Sequence, residues 1–590
     1  MTGIQSITTT DTGSVVNPVT PRQWEPWVSA GRTRNYLLRD TLVDWLDLYG
    51  EAKGFKKDPV DPRTDFTPFI FDKGQRFEMG VLAQLTQRYP ITTIATDHTH
   101  SRSLSHAEQT LAAMQRGVPV IYQGVLRNPN TKTFGMPDMM VRSDVLNQLF
   151  PRTMTRKVAR TNAPALGNHP WHYVIVDVKF ATLQLNVGGT LGNSGSAPAF
   201  KGQVFLYTEM LGRLQGYEPT RAYVLGRTWM QRDDRGTGCL DLVAPVPQAD
   251  AAVRTNTRRA VQWIRKVRKQ GDTWDVFKPS VPELRPNFKQ KMSEWNGAKK
   301  VIDAKDLTAL WFVGPKKRTM ANGNGLTNID HVETAAEVGV YGPVTGRVLQ
   351  ALIDVNAPNY TGPVVCPAKV TANEARWRPR GKVEFWVDFE TVSNLDEDFT
   401  QLPGVGGQPL IAIVGCGHME QGRWRYSSFV ADALTPKAEA RILKAWLAHM
   451  KTVKKRMGMK TEPVIFHWSH AETSSLRQAG YRHPTLMLKW SKLNFFDLWK
   501  HVARDEPVVI RGCQNFSLKT MAKALHAHGV ITTTWGDGPT DGLGAMVGLW
   551  WVHKNKGSAE ARTLLREIVH YCGVDCRTME NVVRYLRKNH

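Results

Sequence analysis

Phe385-Trp386-Val387-Asp388-Phe389-Glu390-Thr391-Val392 is an apolar strand pattern that runs straight into two carboxylates. In an extended chain Asp388 and Glu390, two positions apart, point to the same face. Unpaired buried charge is costly, so a buried strand does not hold two neighbouring acids without a counter-charge. A divalent metal ion is the usual one. The alternative is a strand that ends at Val387, with both acids in a solvated turn.

A second stretch, Ile568-Val569-His570-Tyr571-Cys572-Gly573-Val574-Asp575-Cys576, lies in a segment of helical periodicity from Thr563 to Lys588. Tyr571 and Asp575 are i and i+4 and share a face. A phenol and a carboxylate one turn apart serve a metal and its water together. Asp-x-Glu on a first strand, then Tyr-x-x-x-Asp on a late helix, resembles the DEDD (DnaQ-like) 3′–5′ exonucleases of RNase H-like fold. The chain between fits that resemblance. Leu410 to Val414 and Trp424 to Val430 read as strands two and three with a Gly-rich turn between them. Thr435-Pro436 is an N-cap and N1 pair opening a helix through Met450. Val464-Ile465-Phe466-His467-Trp468 is a buried strand leading into Ser469-His470-Ala471-Glu472. Asn494-Phe495-Phe496-Asp497-Leu498 and Phe516-Ser517-Leu518-Lys519 resemble later blocks of the same fold. The family's second motif usually supplies an Asp. Here Glu472 stands at the matching position, with Asp497 downstream as the other candidate and a nearby support. The resemblance implies two Mg²⁺ or Mn²⁺ ions held by Asp388, Glu390 and Asp575 with Glu472 or Asp497, and a water activated with help from Tyr571. Mg²⁺ is strict about its octahedron, so a Glu in place of the Asp alters the metal geometry slightly.

The chain has 590 residues, enough for two to four domains with cores of their own. Its formal charge is +24, from 77 Lys and Arg against 53 Asp and Glu. That imbalance favours a polyanionic partner. Six cysteines without dense spacing argue against a disulfide framework and for a reducing compartment. No apolar run is long enough to span a bilayer and no signal peptide is evident. The expectation is a soluble, cytoplasmic protein that binds nucleic acid and no membrane; the sequence names no protein partner.

Residues 1–23 read as a mobile tail. Order is expected from Trp24, with a helix over Tyr36 to Tyr49. Lys73 to Leu85 is an amphipathic helix carrying Glu78. Val120 to Leu126 and Phe134 to Val141 read as a hairpin carrying Asp138. His172 to Phe180 is a strand with Asp177 and Lys179 on one face. Gln203-Val204-Phe205-Leu206-Tyr207 lies on a helix continuing through Leu214-Gln215-Gly216. Pro137-Asp138 followed by Asp177-x-Lys179 is the signature of PD-(D/E)xK nucleases. The order Glu78, Asp138, Asp177-x-Lys179, Gln203-x-x-x-Tyr207 resembles the RecB-like branch. That resemblance implies one or two divalent ions held by Glu78, Asp138, Asp177 and the Val178 carbonyl. Lys179 would lie beside the attacking water, and Gln203 and Tyr207 would contact the nucleic acid. The two halves together resemble RecB-like nucleases fused to an RNase H-like domain, a family whose substrate does not come with the resemblance.

RecB-like proteins often carry an iron–sulfur cluster on four Cys flanking the nuclease core. Here the cysteines are scattered and none precedes Glu78, so neither a cluster nor a structural zinc is expected. Arg254 to Gln270 is a basic helix with Arg258, Arg259 and Arg265, either a solvated face or a phosphate-tracking surface. Leu307 to Asp330 resembles a helix–hairpin–helix offering Lys316, Lys317 and Arg318 to one phosphate. Ala357 to Arg380, rich in Pro and Arg, reads as a linker.

The expected architecture is α/β. A tail over 1–23 precedes a restriction-endonuclease-like RecB domain over 24–235, a helical basic middle region over 236–380 and an RNase H-like exonuclease domain over 381–590. The expected activity is metal-dependent hydrolysis of nucleic acid at two sites, with DNA favoured over RNA because RecB-like sites act mostly on DNA. The alternative is a nucleic-acid-binding component of a replication or recombination complex in which one site is inactive.

Overall fold

A computed structural model of the chain describes residues 18, 20–236, 238–278, 281–379, 383–393, 402, 409–535 and 541–590. Most of the expected tail lies outside these residues. The chain divides into two compact units: Met1–Asp58, Ile70–Asp303 and Asp396–Val405 form one, and Pro59–Phe69, Ala304–Leu395 and Gly406–His590 the other.

The first unit is built on a mixed sheet. Its main strands are β1 (Ile91–Thr93), β2 (Val120–Tyr122), β5 (Met139–Arg142), β6 (Tyr173–Gln184), β7 (Arg221–Gln231) and β8 (Val243–Pro247), in the order β8-β7-β6-β5-β2-β1. The two further strands β3 (Leu126–Asn128) and β4 (Thr133–Gly135) form a hairpin between β2 and β5. The expected single hairpin is therefore broken twice, at Gln123, whose φ is 52°, and around Asp138. β6 is the central strand. Tyr173 to Val178 are all buried because both faces are covered, and the apolar residues of β6 run unbroken from Tyr173 to Val176 rather than alternating. Tyr173 and Ile175 pack into one core, while Val174, Val176 and Val178 pack into another.

Three helices of this unit carry candidate functional side chains. α1 (Phe66–Thr86) enters it from Ile70 onward and buries Phe77, Val81 and Leu85. α2 (Ala197–Gln215) covers one face of the sheet. Its Gln215, fully buried, accepts from the Tyr173 N–H at 2.8 Å and donates to the Tyr173 carbonyl at 3.1 Å. α3 (Ala251–Gln270) packs on α2. The separate middle region expected from 236 onward does not form. β8 completes the first sheet by pairing antiparallel with β7, and the chain stays in this unit to Asp303. The helix expected over Tyr36 to Tyr49 is interrupted at Arg39, whose φ is 60°.

From Ala304 onward the second unit carries α4 (Pro315–Gly323), flanked by the short turns Leu307–Ala309 and Ile329–His331. No helix–hairpin–helix forms there, because the buried Arg318 turns inward onto the buried Asp306 at 3.1 Å. The expected linker is also folded: Val365–Cys366 pairs with Val509–Ile510, and Trp377 is fully buried.

The sheet of this unit is β9 (Glu384–Val392), β10 (Leu410–Glu420), β11 (Arg423–Val430), β12 (Val464–His467) and β13 (Asn494–Asp497), in the order β11-β10-β9-β12-β13. β9 is central, antiparallel to β10 and parallel to β12. Its Phe385 and Val387 face α5 (Pro436–Arg456), which supplies Ile442, Leu443 and Trp446. Thr435 caps α5, its hydroxyl accepting from the Ala438 N–H at 3.3 Å. Trp386 faces the other way, stacks on Phe466 at 4.3 Å between ring centroids, and shares a core with Cys576 and Met579. Further helices of this unit include α6 (Ala471–Arg482), α7 (Leu518–Ala527), α8 (Gly542–Lys554) and α9 (Ala559–Asn589). The expected Gly-rich turn between the second and third strands is itself strand. The chain turns later, at Gln421 and Gly422, with φ of 51° and 74°. Gly415 and Gly417 sit inside β10 because neighbours occupy the space a side chain would need. A Cβ would lie 2.5 Å from Cys572 Sγ at Gly415 and 2.1 Å from the Trp424 ring at Gly417.

The buried ion pair of Lys299 and Asp40, at 3.0 Å, ties the end of the first unit to its beginning. Lys299→Met leaves Asp40 charged and buried, and urea denaturation is expected to show a loss of about 3–5 kcal/mol. Lys53→Met, at an exposed pair with Asp272, is expected to lose less than about 1 kcal/mol.

Candidate active sites

In the second unit β9 carries Asp388 and Glu390 on one face, toward α9. Asp388 pairs with Gly415 across the ladder, and a register shift follows Glu390. Because Gly415 has no side chain, α9 comes close enough to place Tyr571, Cys572 and Asp575 beside these acids. The first turn of α6 supplies Glu472, 5% exposed, whose Oε2 lies 3.3 Å from His467 Nδ1. Asp497 has another role. Its Oδ1 accepts from the backbone N–H groups of Ser469 and Lys500, both at 3.0 Å, and so fixes the turn that leads into α6.

The acids act on one another electrostatically. Burial, then Asp575 and Glu390, hold the Asp388 carboxyl well above its ordinary range. Burial and Asp575 push Glu390 up to about 8. Burial raises Asp575 to about 6, opposed by Lys519 and by hydrogen bonds from Trp535 and Tyr571. Glu472 acts on all of these. Burial and Asp575 also push the Tyr571 phenol upward, so it stays a neutral donor. Among the described residues, Asp388, Glu390 and Cys572 offer donor atoms that all lie within 4.8 Å of one another. Crowded, mutually repelling carboxylates are the donor set that a divalent cation neutralises. The residues present therefore fit Mg²⁺ or Mn²⁺.

Three residues of this site escaped the sequence reading. Trp535 Nε1 donates to Asp575 Oδ1 at 2.9 Å, from a loop with no pattern to reveal it. Lys519 places Nζ 4.0 Å from the centre of the Tyr571 ring. Cys572 is i, i+3 to Asp575 on the same helix, a spacing that puts both on one face.

The first unit assembles its own cluster. Lys179 Nζ lies 2.6 Å from Asp177 Oδ2 and 4.0 Å from Asp138 Oδ2. The Val178 N–H donates to Asp138 Oδ2 at 2.7 Å. Tyr122 Oη and Gln123 Nε2 both donate to Glu78 Oε1 at 2.7 Å, and Gln123 reaches Asp138 Oδ1 at 3.5 Å. The break at Gln123 is what aims its amide at both acids. Burial and Asp177 hold Asp138 well above the usual carboxylate range. Burial pulls Lys179 down, but Asp177 and Asp138 outweigh it and leave its pKa raised.

Of the expected contacts with nucleic acid, Tyr207 and Arg318 are buried, and the others are placed as follows. Tyr207 is 4% exposed and donates to the Met136 carbonyl at 3.3 Å, while Gln203 donates to Tyr207 at 2.9 Å. These two brace the segment that carries Asp138. Arg265 donates to the backbone carbonyls of Pro26, Thr131 and Lys132. Arg318 is buried against Asp306, and Lys317 donates to the Phe312 carbonyl at 3.1 Å. Arg258 pairs with Glu209 at 2.9 Å. Arg259 and Lys316 face solvent.

Residues 404–587 match the family model of the RNase_H superfamily. No curated protein and no solved structure matches the chain. The matched segment holds Glu472, Asp497, Tyr571 and Asp575, begins after Asp388 and Glu390, and spans less than half of the chain. The C-terminal part is thus an RNase H-like domain, similar to proteins that process nucleic acid, usually by metal-assisted hydrolysis of phosphodiester bonds. Among the described residues no helix is long and apolar enough to cross a membrane.

The site has a pH signature. Folded, metal-free protein keeps a proton on Glu390 up to about pH 8, against an ordinary value of 4.5. The unfolded state binds fewer protons across that window, so stability falls as pH rises through it. Thermal midpoints of the metal-free protein are expected to drop from pH 5 to pH 8 by more in the wild type than in Glu390→Gln, and Mn²⁺ is expected to reverse most of the difference. Equal slopes in the two proteins would refute the assignment.

Proposed function

We propose that the chain is a metal-dependent nuclease with a 3′–5′ exonuclease site in the second unit and a RecB-like site in the first, acting on DNA in preference to RNA. The observation that carries this is the placement of Asp388 and Glu390 side by side on β9, with Asp575 and Glu472 near enough to act on them electrostatically, within the unit that holds the RNase H-like match. Asp388, Glu390 and Asp575, with Glu472, would hold Mg²⁺ or Mn²⁺, which supplies Lewis-acid stabilisation of the phosphodiester and a nucleophilic water. Tyr571, protonated, orients that water by hydrogen bonding. Asp497 keeps α6 in place and Trp535 fixes the Asp575 carboxylate.

In the first unit Glu78, Asp138 and Asp177, with the Val178 carbonyl, would hold a divalent ion. Lys179 is positively charged beside Asp177 and stabilises the charge that builds on the attacked phosphate. Lys179→Ala is therefore expected to lower kcat by about 100-fold or more, while the affinity for a labelled oligonucleotide falls only a few-fold. Equal losses in binding and turnover would reduce Lys179 to a phosphate clamp.

A circular single-stranded DNA separates the two sites, because it has no 3′ end. The wild type is expected to open it and then degrade it. Asp177→Ala should leave circles intact yet trim linear strands. Asp388→Ala should open circles but accumulate long linear products, with 3′ trimming reduced at least about 100-fold. Destruction of circles by Asp177→Ala would refute the division of labour. Unchanged 3′ trimming by the Asp177→Ala/Asp388→Ala double variant would refute the exonuclease site.

A further inference from the structure

Cys572 is not a residue that a site of oxygen ligands requires, yet it shares the pocket with the acids. Its Sγ and one oxygen each from Asp388 and Glu390 lie within 4.8 Å of one another. Glu390 is 5% exposed, and Asp388 Oδ2 is buried with no hydrogen-bond partner. The thiol is held there by construction. Gly415, directly across the ladder from Asp388, leaves the space that Sγ occupies, and a Cβ at 415 would stand 2.5 Å from it. The thiol proton faces the Asp388 carbonyl at 3.4 Å.

Mg²⁺ takes oxygen ligands in a rigid octahedron and gains little from sulfur. Zn²⁺ accepts thiolate and carboxylate together, at about 2.3 Å and about 2.0–2.2 Å, in a tetrahedron. Such a tetrahedron separates its ligand atoms by roughly 3.5 Å, against a present spacing of no more than 4.8 Å. Zn²⁺ also outranks Mn²⁺ in affinity for a common donor set, and thiolate widens that gap.

We infer that Asp388, Glu390 and Cys572 form a capture site for a thiophilic divalent cation of the Zn²⁺ class, which closes the C-terminal site to Mg²⁺ and Mn²⁺. On capture the S–H bond breaks, a sulfur–metal bond forms and the proton leaves to solvent. The site is then an enzyme centre with a built-in inhibitory mode: the carboxylates that serve activity are the ones the thiophilic ion removes from use. The inference rests on the exonuclease reading of these carboxylates.

Co²⁺ is the probe, added to the metal-free full chain. The wild type should show a near-ultraviolet thiolate-to-cobalt charge-transfer band at one equivalent. Cys572→Ser should lose the band, and Cys576→Ser should keep it. In Mn²⁺-supported trimming of a 3′-labelled strand, Zn²⁺ should inhibit the wild type at concentrations about tenfold or more below those needed for Cys572→Ser. Should Cys572→Ser fail to fold, X-ray absorption at the zinc edge of the wild type should report one sulfur at about 2.3 Å. A wild type without the band, a band that survives Cys572→Ser, or a zinc shell of oxygen and nitrogen alone would overturn the capture site. Because the band is read without turnover, a protein that shows it but trims nothing supports the capture site and defeats the exonuclease reading. Trimming without the band does the reverse.

Discussion

Like charge gathered inside a protein is the constraint around which the second unit is arranged. Asp388 and Glu390 lie in the second half of the central strand β9, and Asp575 and Glu472 are brought toward them by helices from far along the chain. Their pKa values rise because water is excluded and because each repels the others. Trp535 and Lys519 offset part of that repulsion. The rest of the unit supplies the rigidity that keeps these groups from moving apart. Trp386 stacks on Phe466 behind the strand, α5 seals its opposite face, and Asp497 ties down the turn before Glu472.

The first unit meets the same problem differently. Asp138 and Asp177 are also largely buried, but Lys179, from the strand of Asp177, reaches both, and Glu78 accepts from Tyr122 and Gln123. One cluster carries its cation in the covalent chain. In the other, among the described residues, the nearest lysine is Lys519, partly buried beyond an aromatic ring, and the acids form a donor set that fits a divalent cation. The two clusters differ in what they ask of solution conditions, although their acids are of the same kinds.

Much of this was legible in the sequence because period and spacing are local. Thr435-Pro436 announced α5, and the Tyr571–Asp575 spacing announced the face of α9 that meets the acids of β9. What was not legible depended on distant partners. Gly415-Cys416-Gly417 looks like a turn until α9 and Trp424 fill the space beside it. Arg265 and Arg318 look like phosphate ligands until the carbonyls near Thr131 and the carboxylate of Asp306 claim them. Tyr207 looked like a surface contact because helical periodicity does not say how deep α2 lies. Residues 236–303 have no composition that distinguishes a separate region from an extension of the first sheet, and only the pairing of β8 with β7 decides it.

Helix α9 runs for 31 residues, about 46 Å at the usual rise. Tyr571 and Asp575 lie near its middle. Toward its end, Arg587 grips Glu384, the first residue of β9, at 2.5 and 3.0 Å, and also the Trp377 carbonyl. Strand and helix are thus pinned to each other twice, once at the acids and once a dozen residues away. The helix works as a ruler whose zero is set by an arginine remote from any chemistry. Insertion or deletion of one residue between the two marks would turn the carboxylate by about 100°. The length of this stretch of helix is therefore constrained as tightly as the buried side chains that line it.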